Sequence, residues 1–83
     1  MRFDLALHAL RLFKSRSQAS VAIQDGAALL NGRLVKPSHG VRPGDRITLA
    51  GPQGRRVCEV IDLPHGPLSR AAARELVREI GGE

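Results

Sequence analysis

Residues 15–35 read SRSQASVAIQDGAALLNGRLV, and the hydrophobic period changes inside that stretch. Ser15 with Gln18 three positions on is a capping-box pair, the serine hydroxyl taking a free N–H of a first helical turn. Ala19, Ala22 and Ile23 then recur at helical spacing, and Gly26 is the kind of residue that ends helices in the left-handed conformation. Beyond it, Ala28-Leu29-Leu30, Asn31-Gly32 and Arg33-Leu34-Val35 read as strand, type I′ turn and strand. Asn-Gly between apolar runs is the strongest short-range hairpin signal. A helix that hands over directly to a hairpin predicts an α+β fold, with Pro37 blocking a long second strand.

Upstream, Asp4 is a good N-cap for a helix over about residues 4–13. Leu5, Ala9, Leu12 and Phe13 lie on one face, and Lys14 suits the carbonyl end of the dipole. Two helices joined at Lys14-Ser15 must pack on each other. Downstream, Pro43-Gly44-Asp45 turns the chain into a strand at Arg46–Ala50, with Ile47 and Leu49 inward. Gly51-Pro52-Gln53-Gly54 leads into Arg56–Leu63, where Val57 and Ile61 alternate with Cys58 and Val60. Past the Pro64–Pro67 loop, Ser69 is the N-cap of a last helix running to Ile80, with Gly81 as its stop. The expected order is α-α-β-β-β-β-α, an α+β fold with a two-helix N-terminal pair on a small antiparallel sheet and a C-terminal helix. At 83 residues one domain is expected: a core over 1–50, completed by strand, loop and helix over 51–83.

The net charge of +5 predicts an anionic partner, nucleic acid before membrane. Up to residue 49 there are eight cations against three carboxylates, and beyond it five against five, so the whole excess lies in the first three-fifths of the chain. The chain has no Trp or Tyr and only two Phe, which argues against a reader that stacks a run of single-stranded bases. Recognition of folded nucleic acid through phosphates and shape remains. One cysteine excludes an internal disulfide and fits the cytoplasm, and Cys58 reads as an inert structural thiol. No apolar run is long enough for a membrane span, and Asp4, His8 and Arg11 interrupt what would be a signal core. His8, His39 and His65 have no metal-ligand spacing, so neither metal nor cofactor is expected, and no catalytic residue is assigned.

Lys14, Ser15 and Arg16 stand where the second helix begins. Free backbone N–H groups and two added cations make that point a phosphate site. Arg33 and Lys36 flank the hairpin turn and Arg42 follows in the next loop, so a hairpin folded back beside the helix junction would line one surface with cations. Arg70, Arg74 and Arg78 recur at i, i+4, but Glu75 and Glu79 beside them make a solvated mixed-charge face the better reading. Asp45 is assigned to its own turn.

Arg2-Phe3-Asp4, Ser15-Arg16-Ser17-Gln18-Ala19, Ile23-Gln24-Asp25-Gly26, Val35-Lys36-Pro37-Ser38 and Val41-Arg42-Pro43-Gly44-Asp45 together resemble the alpha-L RNA-binding domain, named after small-subunit ribosomal protein S-four. The resemblance runs without a gap from Arg2 to Leu49. It implies a non-enzymatic binder of structured RNA, rRNA and possibly tRNA, with Arg2, Arg11, Lys14, Ser15, Arg16, Arg33, Lys36 and Arg42 as its contacts. Short free-standing members are similar to the heat-shock protein 15 group and a relative in bacterial ribosome quality control. For this chain they imply association with the large ribosomal subunit carrying stranded peptidyl-tRNA; a monomer is expected. Leu5 and Ala6 depart from the Lys and Trp common there, and the lack of a long basic C-terminal extension favours the shorter type. A helix-turn-helix DNA binder over residues 4–25 is the competing reading, but only Gln18 and Gln24 of the second helix could read bases. A module docking a larger RNA-modifying enzyme is a third.

Overall fold

The computed structural model describes residues 1–52 and 54–82. Helix α1 spans Phe3–Ala9 and helix α2 Arg16–Gln24. Strand β1 (Ala28–Leu30), β2 (Arg46–Gly51), β3 (Gly54–Val60) and β4 (Val77–Gly82) form one antiparallel sheet in the order β1-β2-β3-β4, with the short helix α3 (Arg70–Arg74) between β3 and β4. The fold is α+β, with the helix pair against the sheet as the period change at Gly26 predicts. Phe3, Ala6 and Leu7 of α1 and Ala19 and Ile23 of α2 are fully buried with Ile47, Cys58 and Val60 of the sheet. No helix among the described residues is long and apolar enough to cross a membrane.

Helix α2 follows its sequence signals closely. Ser15 is extended, its Oγ accepts the Gln18 N–H at 3.1 Å, and Gly26 has φ +78° just past the helix. Helix α1 does not. Its N-cap is Arg2, which offers no side-chain cap, and Asp4 lies inside the first turn, 4% exposed. The helix also ends at Ala9 rather than Phe13. Arg11 takes a left-handed φ of +62°, and the Leu12 and Phe13 N–H groups both turn back to the Leu7 carbonyl. Folded over the helix end, these two apolar residues pack on the core. Lys14 therefore stands in the connection, not on the dipole of α1.

The Asn31-Gly32 turn forms, with φ of +53° and +76° and a reciprocal pair of hydrogen bonds between Leu30 and Arg33. The hairpin stops at that single bridge, because β1 pairs with β2 instead: Leu30 faces Ile47 and Ala28 faces Leu49. Residues 33–41 leave the sheet and dock on the N-terminus. Phe3 N–H donates to His39 O, Asp4 N–H to Pro37 O and Val41 N–H to Met1 O, while Arg2 bridges Gly40. Leu34 stays 63% exposed, so a longer hairpin has no apolar face to bury there.

The Asp45 carboxylate accepts the Arg42 N–H at 2.9 Å and an Asn31 amide N–H at 3.1 Å, fixing the Pro-Gly-Asp turn as expected. In the predicted turn at residues 51–54, Gln53 lies outside the described residues. Strand β3 ends at Val60, leaving Ile61 exposed, with Cys58 and Val60 facing the core.

The largest departure is at the C-terminus. The expected helix to Ile80 closes at Arg74, and Val77–Gly82 is the fourth strand. Ser69 does cap α3, its Oγ accepting Ala72 N–H at 3.1 Å. Without β4, strand β3 would present an open edge of unpaired N–H and C=O groups. Val77 opposite Val60 and Arg78 opposite Glu59 give the pairing a branched and an oppositely charged cross-strand match. The Arg70, Arg74, Arg78 stripe is therefore broken: Arg78 pairs with Glu59 and Arg56 with Glu79 across the sheet.

Candidate nucleic-acid interface

The start of α2 is held beside the start of α1. Ser15 sets the first turn of α2, leaving its remaining N–H groups directed outward with the positive end of the helix. Arg2 reaches the Asp4 carboxylate with two bonds, Nε to Oδ1 at 3.1 Å and Nη2 to Oδ2 at 3.0 Å. Arg16 Nε approaches Oδ2 from α2 at 3.4 Å. The Leu5 N–H completes the set on Oδ1 at 2.7 Å. Both arginine side chains remain about half exposed (50% and 48%) while that of Asp4 is 5% exposed.

Asp4 thus acts as a buried post to which two solvent-facing guanidinium groups are tied. Burial alone would raise its carboxyl pKa. The hydrogen bonds from Arg2, Leu5 and Arg16, with the Arg16 charge, outweigh burial and hold it below the ordinary carboxylate value. A guanidinium has five N–H donors, so engagement with Asp4 leaves others for an incoming anion. The arrangement can seat a phosphate against oriented arginines and a helix N-terminus without first ordering the side chains.

The sequence candidates divide into three groups. Arg2, Ser15 and Arg16 come together at the helix junction. Lys36 and Arg42 flank the 37–41 segment that hydrogen-bonds the N-terminus beside Arg2, and both are exposed. Arg33 is exposed at the β1 turn, and none of these three side chains makes an ion pair among the described residues. Arg11 and Lys14 open instead on a groove toward α3, with Arg11 Nε donating to Leu68 O at 2.9 Å.

Sequence reading missed the role of Asp4, taken for a helix cap. Alternating Arg2 and Asp4 ahead of Arg16 was the available signal, but which acid the arginines share is a tertiary fact. Cys58 is buried, and burial raises its thiol pKa against the lowering effect of nearby Arg56, as suits an inert packing residue. No group of three His, Cys, Asp or Glu side chains converges as a metal site among the described residues.

A basic α+β module whose helix junction presents two arginines locked on a buried acid has the layout expected of the alpha-L type. The model of the S4 domain family matches residues 1–47, and the chain belongs to that family. It is 37% identical over 78 aligned positions to small ribosomal subunit protein uS4 of Gloeobacter violaceus, an alignment covering 89% of this chain and 38% of that protein. The chain thus spans well under half the length of that relative. A solved structure of heat shock protein 15 from Vibrio cholerae, described as trimeric, superposes with a TM-score of 0.90 at 30% identity, covering 96% of this chain and 81% of the other.

Proposed function

We propose that this chain is a non-enzymatic binder of structured RNA, rRNA and possibly tRNA, that acts on the ribosome in the cytoplasm. The observation that carries the reading is the Arg2–Asp4–Arg16 arrangement at the capped start of α2. Preordered guanidiniums beside free N–H groups suit a phosphate backbone, and the absence of Trp and Tyr disfavours stacking on a run of bases. Arg2, Ser15 and Arg16 make the primary contact. Lys14 and Arg11 extend it along the α1–α2 connection, and Arg33, Lys36 and Arg42 extend it along the loop side. Similarity to heat shock protein 15 and to uS4, a ribosomal protein by name, supports placing that RNA on the ribosome. The particular state is the large subunit carrying stranded peptidyl-tRNA, as for the short free-standing members that the sequence resembles.

Sedimentation through sucrose gradients tests this. The wild type should co-migrate with large subunits, enriched in those retaining peptidyl-tRNA, and Arg16→Ala should fall to the top fractions. For isolated rRNA the loss of one charge-assisted contact corresponds to about 1–3 kcal/mol in affinity. Wild-type protein at the top of the gradient at low and moderate salt alike would remove the ribosome from the reading.

A further inference from the structure

A groove of about 600 Å³ runs between the α1–α2 connection and α3. Arg11 and Lys14 line one wall, Arg70 and Arg74 the other, and Arg56 reaches it from the sheet. No carboxylate lines it among the described residues. Arg11, Lys14, Arg70 and Arg74 have no ion-pair partner among those residues, whereas Arg56 is held by Glu79. Arg70 and Arg74 are four apart on α3 and so share a face. Phe13 and Val77, both half-buried, supply an apolar surface between the cations.

This combination selects its ligand. A paired backbone is a ridge of phosphates and has no use for an apolar wall in a recess. An unpaired nucleotide has both properties: a flat π face and a charged phosphate on each side. The groove volume lies within the range of about 300–1,000 Å³ typical of clefts that enclose small organic groups. Lys14, on the groove wall, directly precedes Ser15 and Arg16 of the helix junction, so the two cationic sites adjoin in the chain. The mouth is braced by the Arg11–Leu68 hydrogen bond.

We propose that this groove receives one unpaired nucleotide of the bound RNA, its base against Phe13 and its flanking phosphates on Lys14, Arg70 and Arg74. The inference rests on the RNA-binding reading above and adds a second contact class to it. It gives the neutral C-terminal part of the chain a recognition role that a mixed-charge solvated helix would not have.

The test is a fluorescence-anisotropy titration of the full chain against two RNA hairpins that differ by one unpaired uridine in the stem, at several salt concentrations. Wild-type protein should favour the bulged hairpin by about fivefold or more, the effect of one base–aromatic stack. Phe13→Leu keeps an apolar side chain in place and should bring that preference towards one. Arg70→Ala with Arg74→Ala, both on the surface, should weaken only the bulged hairpin and reduce its salt slope by about 0.7, the share of the one phosphate that Lys14 does not hold. Equal wild-type affinity for the two hairpins, or a double variant with the full preference, overturns the groove as a nucleotide site. If Arg16→Ala then still loses both hairpins, RNA binding at the helix junction stands without it. Wild-type protein that binds neither hairpin overturns both readings.

Discussion

Asp4→Asn separates orientation from charge at the helix junction, because the two effects have opposite signs. Asparagine keeps the shape and one acceptor oxygen, so the Leu5 N–H at 2.7 Å can still be satisfied. It removes the charge that holds Arg2 through two bonds and Arg16 at 3.4 Å. If Asp4 only neutralised the surface, removing it would strengthen RNA binding. A phosphate about 6 Å away in a water-like dielectric would gain roughly 0.7 kcal/mol. If Asp4 holds the arginines in place, each freed side chain must be ordered again on binding, at about 0.5–1.5 kcal/mol. Two arginines make about 1–3 kcal/mol, which exceeds the electrostatic gain over most of its range. The expected net result is weaker binding, by about 2- to 30-fold for roughly 0.5–2 kcal/mol.

The same substitution should lower folding stability. Both arginine side chains are about half exposed and regain water, so the loss falls at about 1–2 kcal/mol, below that for breaking a fully buried pair. For a chain of this size that lowers Tm by roughly 5–15 °C. The Asp4 carboxyl titrates below its ordinary value in the folded protein, so its stabilisation is fully present above about pH 3.9, the unfolded value. It is lost as pH falls through the lower folded value, where wild type and variant should converge. Filter binding to an rRNA fragment and thermal melts from neutral to acid pH measure both effects. A variant that binds RNA more tightly than wild type, with Tm unchanged, would refute the orienting role of Asp4.

Two further outcomes follow from the turn and the core. Asn31→Ala should cost about 2 kcal/mol, since it loses the bonds to Asp45 and the Arg46 N–H and leaves a non-glycine residue at φ +53°. Asn31→Gly loses the same bonds but relieves the backbone, so its urea midpoint should lie above that of Asn31→Ala; equal midpoints would exclude backbone strain as a contributor. Cys58 should react slowly with a disulfide thiol reagent in native buffer, because burial both blocks access and raises its pKa, and quickly in urea. Rapid modification of the native protein would contradict its place in the core.

What could be read in advance, and what could not, divides by the range of the interactions concerned. Ser15, Gln18 and Gly26 act within a few residues, so the bounds of α2 were legible. Asn31-Gly32 was equally legible as a turn, and Asp45 as the lock of its own loop. The capped start of α2 and the cations beside it were legible for the same reason, being neighbours in sequence, but that Arg2 rather than Lys14 joins Ser15 and Arg16 there was not. Arg70 and Arg74 did not, because the cations they face lie more than fifty residues away.

Local chemistry therefore determined the helix start, the turns, the α+β class and the concentration of charge in the first part of the chain. Tertiary structure decided what lay at a distance. It gave β1 the partner β2, because Leu30 can bury against Ile47 while Leu34 has nothing to cover it. It turned residues 77–82 into a strand, because the open edge of β3 offers a ladder of hydrogen bonds that local helical spacing cannot outweigh. It also made Asp4 a shared counter-ion rather than a cap, since only the packing of α1 against α2 brings Arg2 and Arg16 to one carboxylate.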